Sequence, residues 1–263
     1  MPTEEAVQTA QQTPDALLAC ILDMGELLLT SGAEVLRVED TLTRLCTAYG
    51  FLRVNVFSIT SSIVITVHGL DGHIYTQTRR IITRDTNLQK VALVNALSRQ
   101  LCHTPVSIPE FQVKLEEIRC SKTFPLWTQC LCYASISAVF SVFFGGSALD
   151  GLAAAMSGVL IFGIQYFLQK LRMNSLLQCL LVSAFAAFIV TLMVRAGIGH
   201  APDKITIGNI MLLIPGISFT TSLRDLINGD TIAGLVGICE AIIKAIAIAI
   251  GFAAVLVQMG GIL

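Results

Sequence analysis

Long apolar stretches fill the second half of the chain and constrain its fold more than any other feature. A transmembrane helix needs about 20 consecutive apolar residues. Stretches of about that length recur from Pro125 onward. We predict five transmembrane helices from them, at 125–145, 148–168, 175–195, 205–222 and 231–257.

The first half of the chain has the composition of a soluble domain. The whole chain is only 13% charged, whereas soluble domains average about a quarter charged residues. Most of these charges lie before about residue 122, where nearly every one is balanced by an opposite charge. The composition therefore predicts one soluble domain followed by one membrane domain.

The periodicity of apolar residues predicts the elements of the soluble domain. Helical spacing predicts helices at 14–31, 34–49, 86–102 and 109–119. Alternation of apolar and polar residues predicts strands at 54–60, 63–69 and 73–81, with Asp71-Gly72 as a hairpin turn between the last two. The predicted architecture is a flexible N-terminus at 1–13, a cytoplasmic α+β domain at 14–122 and an α-helical membrane domain of five transmembrane helices at 123–263.

The positions of the basic residues predict the orientation in the membrane. Cytoplasmic loops carry an excess of Lys and Arg. One side of the predicted spans carries Arg119, Lys122, Lys170, Arg172 and Arg224, and the other carries only Arg195 and Lys204. The N-terminus is polar and acidic, unlike a cleavable signal peptide. We therefore expect a multi-pass protein of the plasma (inner) membrane, with its N-terminal domain in the cytoplasm and its C-terminus outside.

Several classes of function find no support in the sequence. A net charge of −1 gives no indication of nucleic acid as a partner. The eight cysteines are scattered without a CxxC motif, which favours buried thiols over a zinc site. His68 and His73 flank the hairpin turn without further ligands at metal-binding spacing. No nucleophile, phosphate-loop or zinc-protease motif occurs. We expect no metal, no cofactor and no enzymatic activity.

Glu240 and Lys244 lie in the middle of the last apolar stretch, one helical turn apart. An ionised side chain inside a bilayer costs at least a few kcal/mol, so such residues usually face a protein interior or a cavity. Alanines at 241, 245, 249 and 253 form a stripe beside them that predicts close packing of another helix. The two charges are either a site for substrate or proton coupling, which we favour, or a structural ion pair.

Pro215 and Gly216 interrupt the fourth stretch and predict a broken helix, because proline lacks a backbone donor. Irregular backbone at membrane depth is tolerated where it lines a cavity, and broken helices often build transporter sites. Asn209, Ser218 and Thr221 place polar groups around this break. A proline kink satisfied by neighbouring hydroxyls is the alternative.

Two motifs carry a resemblance to a known family. One is GAEVLRVED at residues 32–40, whose acidic residues otherwise fit an ordinary helix N-terminus. The other is the segment LIPGISFTTSLRDLINGD, which contains Arg224 and Asp225 and precedes a Gly/Ala-rich helix with CEAIIK. These residues resemble the threonine/serine exporter family, and the resemblance extends from about residue 15 to 257.

The resemblance implies a cytoplasmic N-terminal domain and a membrane domain that exports small polar metabolites, driven by the proton gradient. Full-length members have about ten spans, so five spans resemble the split form of the family. That form implies a second small integral membrane subunit, and its members are linked to export of dicarboxylates such as succinate. Threonine/serine-type amino acids and C4 dicarboxylates both remain open as substrates.

The residues and the resemblance together give one mechanistic hypothesis. Substrate binds near Pro215-Gly216, Lys244 attracts its carboxylate, and Glu240 carries the coupling proton. Asn209, Ser218 and Thr221 meet its polar groups, while Arg224 and Asp225 form an entry gate or fix the loop. The alternative is a regulatory or scaffolding membrane subunit without a transport path of its own. A homo-oligomer in the lipid bilayer is compatible with either.

Overall fold

A computed structural model describes residues 14–82, 85–121, 124–171 and 173–259. Its contacts divide the chain into two compact units. One, here called the α+β unit, contains the residues up to 121 together with 217–238. The other, the membrane unit, contains 124–216 together with 239–259. The predicted flexible N-terminus at 1–13 and two of the basic residues used for orientation, Lys122 and Arg172, lie outside the described residues.

The α+β unit begins with two helices, continues with three strands and returns to two helices. Its elements are α1 (Pro14–Thr30), α2 (Val35–Ala48), β1 (Arg53–Ile59), β2 (Ser62–His68), β3 (Ile74–Arg80), α3 (Leu88–His103) and α4 (Ile108–Arg119). The strands form one antiparallel sheet in the order β1-β2-β3. The helices and strands predicted for this part of the chain are confirmed, with bounds that differ by one or two residues.

The core of the α+β unit lies between α1 and the central strand. Strand β2 alternates, so that Ile63, Ile65 and Val67 are fully buried on one face. Helix α1 is buried along most of its surface, which explains its mostly apolar sequence. Phe111 of α4 is the largest fully buried side chain of the unit. Burial of this apolar surface is the main force that stabilises the unit.

The predicted hairpin turn joins β2 to β3. Gly72 has a φ of +80°, a left-handed conformation that favours glycine. The backbone N–H of His73 donates to Asp71 Oδ1 at 3.0 Å, which closes the turn. Strands β2 and β3 pair across it, with Val67 opposite Tyr75.

The membrane unit contains the helices α5 (Leu126–Phe143), α6 (Ala148–Lys170), α7 (Ser175–Arg195) and α8 (Pro202–Leu213). The next two helices, α9 (Gly216–Ile227) and α10 (Thr231–Met259), follow in the chain. Four of these helices are individually long and apolar enough to cross a membrane, and α8 and α9 together would make a fifth, broken span. The predicted membrane helices are therefore present as four spans, or five if the broken pair counts as one.

The predicted break occurs between α8 and α9. Helix α8 ends at Leu213, Ile214 is extended, and α9 begins at Gly216. Pro215 cannot donate a backbone hydrogen bond, which explains why the helix does not continue through it.

Glycines let the helices of the membrane unit approach closely. A Cβ added at Gly158 of α6 would lie 2.8 Å from the carbonyl oxygen of Tyr133 in α5. One added at Gly208 of α8 would lie 2.5 Å from the carbonyl oxygen of Ser137, also in α5. Small residues at such contacts are typical of membrane helices, because lipid supplies no hydrophobic drive for their association.

Residues 217–238 pack with the α+β core, although the predicted membrane domain of 123–263 includes them. Ala233 of α10 is 3% exposed and belongs to the same apolar cluster as α1 and β2. A Cβ added at Gly234 would lie 2.6 Å from the backbone nitrogen of Leu226, so α9 and the start of α10 form a tight helical hairpin. The compact units and the predicted domains therefore differ in this segment.

Candidate functional site

A cluster of uncharged polar side chains is buried in the membrane unit, where α5, α6 and α8 meet. Ser137, Ser157 and Asn209 are each 0% exposed. The Ser137 hydroxyl donates to Asn209 Oδ1 at 2.9 Å, and the Ser157 hydroxyl shares its single proton between Asn209 Oδ1 at 2.9 Å and the carbonyl oxygen of Ala154 at 2.8 Å. Asn209 was predicted as a site residue, and it is thus placed among polar partners from two other helices. We refer to these three residues as the amide–hydroxyl cluster.

The close helix contacts bring this cluster together. Gly208 precedes Asn209 and lets α8 rest on the backbone of α5 at Ser137. Gly158 follows Ser157 and does the same for α6 against α5. A larger residue at either glycine would separate the helices and lengthen the hydrogen bonds to Asn209.

Two polar atoms at this place have no hydrogen-bond partner among the described residues. They are Nδ2 of Asn209 and Oγ of Ser141, and both are buried. A buried polar group without a partner costs about 1–3 kcal/mol. Such groups are rare in native proteins and call for an explanation.

The sequence places Glu240 and Lys244 in the middle of the last apolar stretch. In the structure the two residues lie at one end of the helix bundle. A Cβ added at Gly251 would lie 2.5 Å from the carbonyl oxygen of Leu180, so Gly251 is level with the second turn of α7. Lys244 lies seven residues earlier, about 10 Å along the helix, and near Cys179. It is therefore level with the first turn of α7, which begins at Ser175.

The predicted pairing of these two charges is absent from the structure. Among the described residues no ion pair within 4.0 Å joins Glu240 to Lys244. Glu240 is exposed on the unit and Lys244 is half-buried. At the end of a bundle a lysine can extend its ammonium group toward water while its stem stays in apolar surroundings, which removes the need for a partner.

The predicted alanine stripe is not the packing face of α10 within the membrane unit. Ala241 is buried, but the other three alanines of the stripe are exposed, at 245, 249 and 253. Ile248 and Phe252 are the α10 residues that join the apolar cluster with α6 and α7.

The remaining predicted site residues divide between the two units. Pro215 is half-buried and Gly216 is exposed, both in the membrane unit. Ser218 and Thr221 belong to the α+β unit, and the Thr221 hydroxyl donates to the carbonyl oxygens of Ile217 and Ser218 within α9. Within each unit, the polar groups around the break are thus not gathered into one constellation.

Arg224 and Asp225 contact the beginning of α2. Arg224 Nη1 forms an ion pair with Glu34 Oε1 at 2.7 Å. The backbone N–H of Val35, the first residue of α2, donates to Asp225 Oδ1 at 3.1 Å. Asp225 is 3% exposed and therefore caps this helix from a position 190 residues away in the chain.

A second contact between the two motifs lies one turn further along α2, where Glu39 of the first motif is close to Asp230 of the second. The Glu39 carboxylate accepts hydrogen bonds from the backbone N–H of Ser58 at 2.6 Å and from its hydroxyl at 3.2 Å. Burial raises the pKa of Glu39, and the charge of nearby Asp230 raises it further, while the hydrogen bonds from Ser58 oppose both effects. GAEVLRVED and the RDL-containing segment therefore form one interface inside the α+β unit. Among the described residues, no group of three or more His, Cys, Asp or Glu could hold a metal ion.

The sequence model for threonine/serine exporters matches residues 19–259, nearly the whole chain. The chain belongs to the threonine/serine exporter family. Both motifs and the amide–hydroxyl cluster lie inside the matched range. No solved structure matches the chain.

Named relatives of this exporter-family chain are transporters rather than enzymes. It is 22% identical to a "Probable threonine/serine exporter" of Mycobacterium tuberculosis, over 94% of this chain and 46% of that protein. It is 24% identical to a "Probable succinate transporter subunit YjjP" of Klebsiella aerogenes, over 89% of this chain and 90% of that protein. It is 25% identical to a "Threonine/serine exporter" of Corynebacterium glutamicum, over 78% of this chain and 44% of that protein. The chain thus spans about half the length of the two exporters and most of the length of the subunit.

Family membership, together with the apolar helices, identifies a multi-pass membrane protein. Sequence reasoning found Asn209 but missed Ser137, Ser141 and Ser157. Serines in membrane helices commonly bond to the carbonyl one turn earlier, so their presence alone carries no signal. The neighbouring glycines Gly158 and Gly208 are the signal that could have indicated a close contact at these serines.

Replacing Glu39 with Gln should make the stability of this exporter-family chain less dependent on pH. Because the pKa of Glu39 is raised in the folded state, its contribution to stability is fully present below the ordinary Glu pKa of about 4.3 and is lost as pH rises through the raised value. The variant should therefore show a smaller fall in Tm between about pH 4.3 and pH 7. Glu117→Gln, at an exposed position on α4, is the control and should behave as the wild type. Identical slopes for Glu39→Gln and the wild type would contradict this.

Proposed function

We propose that the chain is part of a membrane exporter of small polar metabolites. The substrates are threonine/serine-type amino acids or C4 dicarboxylates such as succinate. The amide–hydroxyl cluster supports this proposal most directly, because it places hydrogen-bonding groups from three helices together inside the membrane unit of an exporter-family chain. Polar groups in such surroundings usually serve a substrate path or a helix contact.

The charged residues of α10 have separate roles in this proposal. Lys244 lies at the end of the bundle where α7 begins, and there it attracts the carboxylate of the substrate. Glu240, one turn earlier on α10, takes up and releases the coupling proton. Their level at the bundle end supports a role at the mouth of the path rather than at its centre. By the distribution of Lys and Arg, the α+β unit faces the cytoplasm of a cell whose plasma membrane holds the protein.

A second small membrane subunit completes the transporter. The name of the Klebsiella relative supports this, because that protein is called a subunit and the chain covers 90% of it. A protein that matches the remaining half of the long exporters is the natural candidate for this subunit.

Reconstitution tests the proposal. The full chain is placed in proteoliposomes with and without a protein from the same cell that matches the other half of the long exporters. Efflux of labelled serine, threonine and succinate is then measured with and without an imposed pH gradient. We expect gradient-dependent efflux of one substrate class when both proteins are present.

Two variants test the roles on α10 in the same assay. Glu240→Gln should leave efflux that no longer responds to the pH gradient, and Lys244→Met should raise KM for the exported solute about tenfold, as expected for loss of one charged contact. Glu117→Gln in the α+β unit is the matched control for a lost carboxylate. A wild-type response of Glu240→Gln to the gradient would remove its coupling role.

A regulatory or scaffolding subunit is the second candidate. The exposed alanines of α10 favour it, because a row of small residues suits the approach of a partner helix. Absence of efflux for every solute from an intact complex would support this candidate and contradict export.

A further inference from the structure

Ser141 Oγ and Asn209 Nδ2 are buried without a hydrogen-bond partner among the described residues, unlike other buried polar groups of the bundle. Other buried hydroxyls of the bundle bond to the carbonyl one turn earlier, as Thr191 does to Ala187 at 2.9 Å and Ser183 does to Leu180 at 3.0 Å. Ser141 makes no such bond, although it is 0% exposed, and Asn209 Nδ2 also has no partner among the described residues. Two buried, unsatisfied groups at one helix contact call for an explanation, and a bound ligand that satisfies both provides one.

Ser141 and Asn209 both lie at the contact between α5 and α8. Ser141 is one turn after Ser137 on α5, so both serines lie on the same face of that helix. A Cβ added at Gly208 would lie 3.1 Å from the Cβ of Ser141, which puts Ser141 against the residue before Asn209. Ser137 binds the opposite end of the same amide, at Oδ1. Asn209 is therefore held at its oxygen, with its nitrogen left for another partner.

The chemistry of these groups selects an acceptor as the ligand. The free amide nitrogen has two N–H donors and no lone pair to offer, and the Ser141 hydroxyl adds a third donor. A carboxylate oxygen accepts several such bonds, and hydrogen bonds to a charged acceptor are about twice as strong as neutral ones. A carboxylate is also the one group that amino acids and C4 dicarboxylates share.

We propose that Asn209 Nδ2 and Ser141 Oγ form a carboxylate-binding subsite of the exporter, with Ser137 and Ser157 as positioning residues that orient the amide. This inference rests on the proposed export function and deepens it. The subsite recognises the carboxylate common to both substrate classes, and it makes no use of the remainder of the solute. It also assigns a role to Ser141 that the sequence did not indicate.

Competition between solutes tests the recognition of the carboxylate. Export of the solute that the wild type transports is measured in proteoliposomes with an excess of unlabelled competitor. Succinate and serine distinguish the two substrate classes, while ethanolamine, which is serine without its carboxylate, should not compete. Competition by ethanolamine as strong as that by serine would overturn the proposal.

Variants test the residues. Ser141→Ala should raise KM for the exported solute about tenfold, as expected for one lost hydrogen bond to a charged group. Asn209→Asp should lose more, because it replaces the donors with a negative charge that repels a carboxylate. Ser183→Ala is the matched control, since it removes a buried serine hydroxyl of the bundle outside the cluster, and it should keep the wild-type KM. Stronger export by Asn209→Asp would indicate that the amide faces a cationic group and would contradict the proposal.

Thermal stability gives a readout that does not depend on transport. Ser141→Ala removes a buried hydroxyl that lacks a partner, so its Tm without substrate should equal or exceed that of the wild type. The stabilisation of the wild type by added substrate should be reduced in this variant. A lowered Tm with an unchanged substrate effect would assign Ser141 to a bound water instead.

The outcomes distinguish the subsite from the proposed function. If the wild type exports a solute and Ser141→Ala has an unchanged KM, the subsite alone is overturned. If the wild type exports nothing, the proposed function is overturned.

Discussion

Asp225→Ala should lower the stability of the α+β unit by about 1–3 kcal/mol. This is the cost expected when a helix loses its cap and a buried backbone N–H is left without a hydrogen-bond partner. The Asp225 carboxylate is 3% exposed and receives the N–H of Val35, which has no partner within its own helix. Hydrogen exchange of the amides in the first turn of α2 should increase more than exchange elsewhere in the unit.

Arg224→Ala is the matched control for this prediction. Arg224 is adjacent in sequence and also contacts the start of α2, but its side chain is 62% exposed. Exposed ion pairs contribute only about 0–1 kcal/mol because water and ions screen them. The two variants should therefore differ clearly in Tm and in exchange at α2. Equal losses would mean that the ion pair, and not the cap, holds the two motifs together.

The contact between these two motifs could not be predicted from the sequence. Periodicity and capping signals describe residues within one or two helical turns of each other. The sequence accordingly predicts a local helix terminus for Glu34 and, for Asp225, an entry gate or a role in fixing the loop. Their pairing depends on how the chain folds back over 190 residues. The resemblance to a family marked both motifs but did not place one on the other.

The bounds of the helices could be predicted well because apolar composition and breakers act locally. Pro215 ends a helix where expected, and four of the five apolar stretches form helices within two residues of the predicted bounds, whereas the stretch predicted at 205–222 forms α8 and α9 over 202–213 and 216–227. Depth in the bundle could not be predicted in the same way. Helix α10 has 29 residues, whereas a span needs about 20. Its excess length places Lys244 level with the beginning of α7, and composition alone does not tell which end of a long helix extends beyond the bundle.

The amide–hydroxyl cluster could be predicted from the sequence only in part. A single Asn in an apolar stretch is visible in the sequence, which is why Asn209 was found. Ser137 and Ser157 gained significance only from the close approach of three helices. The pattern of glycine beside serine on α6 and of glycine beside asparagine on α8 is the general feature that connects sequence to this contact.

Asp150→Ala should destabilise the membrane unit more than any other single carboxylate replacement in it. Asp150 is 2% exposed and caps two helices at once. Its Oδ2 accepts from the backbone N–H and the hydroxyl of Ser147 at 2.8 and 2.7 Å, which closes the start of α6. Its Oδ1 accepts from the backbone N–H groups of His200 and Ala201 at 2.6 and 2.9 Å, directly before α8.

Loss of the carboxylate would leave the backbone donors of Ser147, His200 and Ala201 without this partner, and loss of a helix cap costs about 0.5–2 kcal/mol. Asp203→Asn is the control, because Asp203 lies in the first turn of α8 but its side chain is 64% exposed. We expect a large drop in Tm and in the yield of monodisperse protein in detergent for Asp150→Ala, and little change for Asp203→Asn. Since α8 carries Asn209, loss of this cap should also weaken substrate binding at the amide–hydroxyl cluster without any change to the residues of the cluster. A stable Asp150→Ala variant with wild-type binding would mean that the glycine contacts alone hold α8 in place.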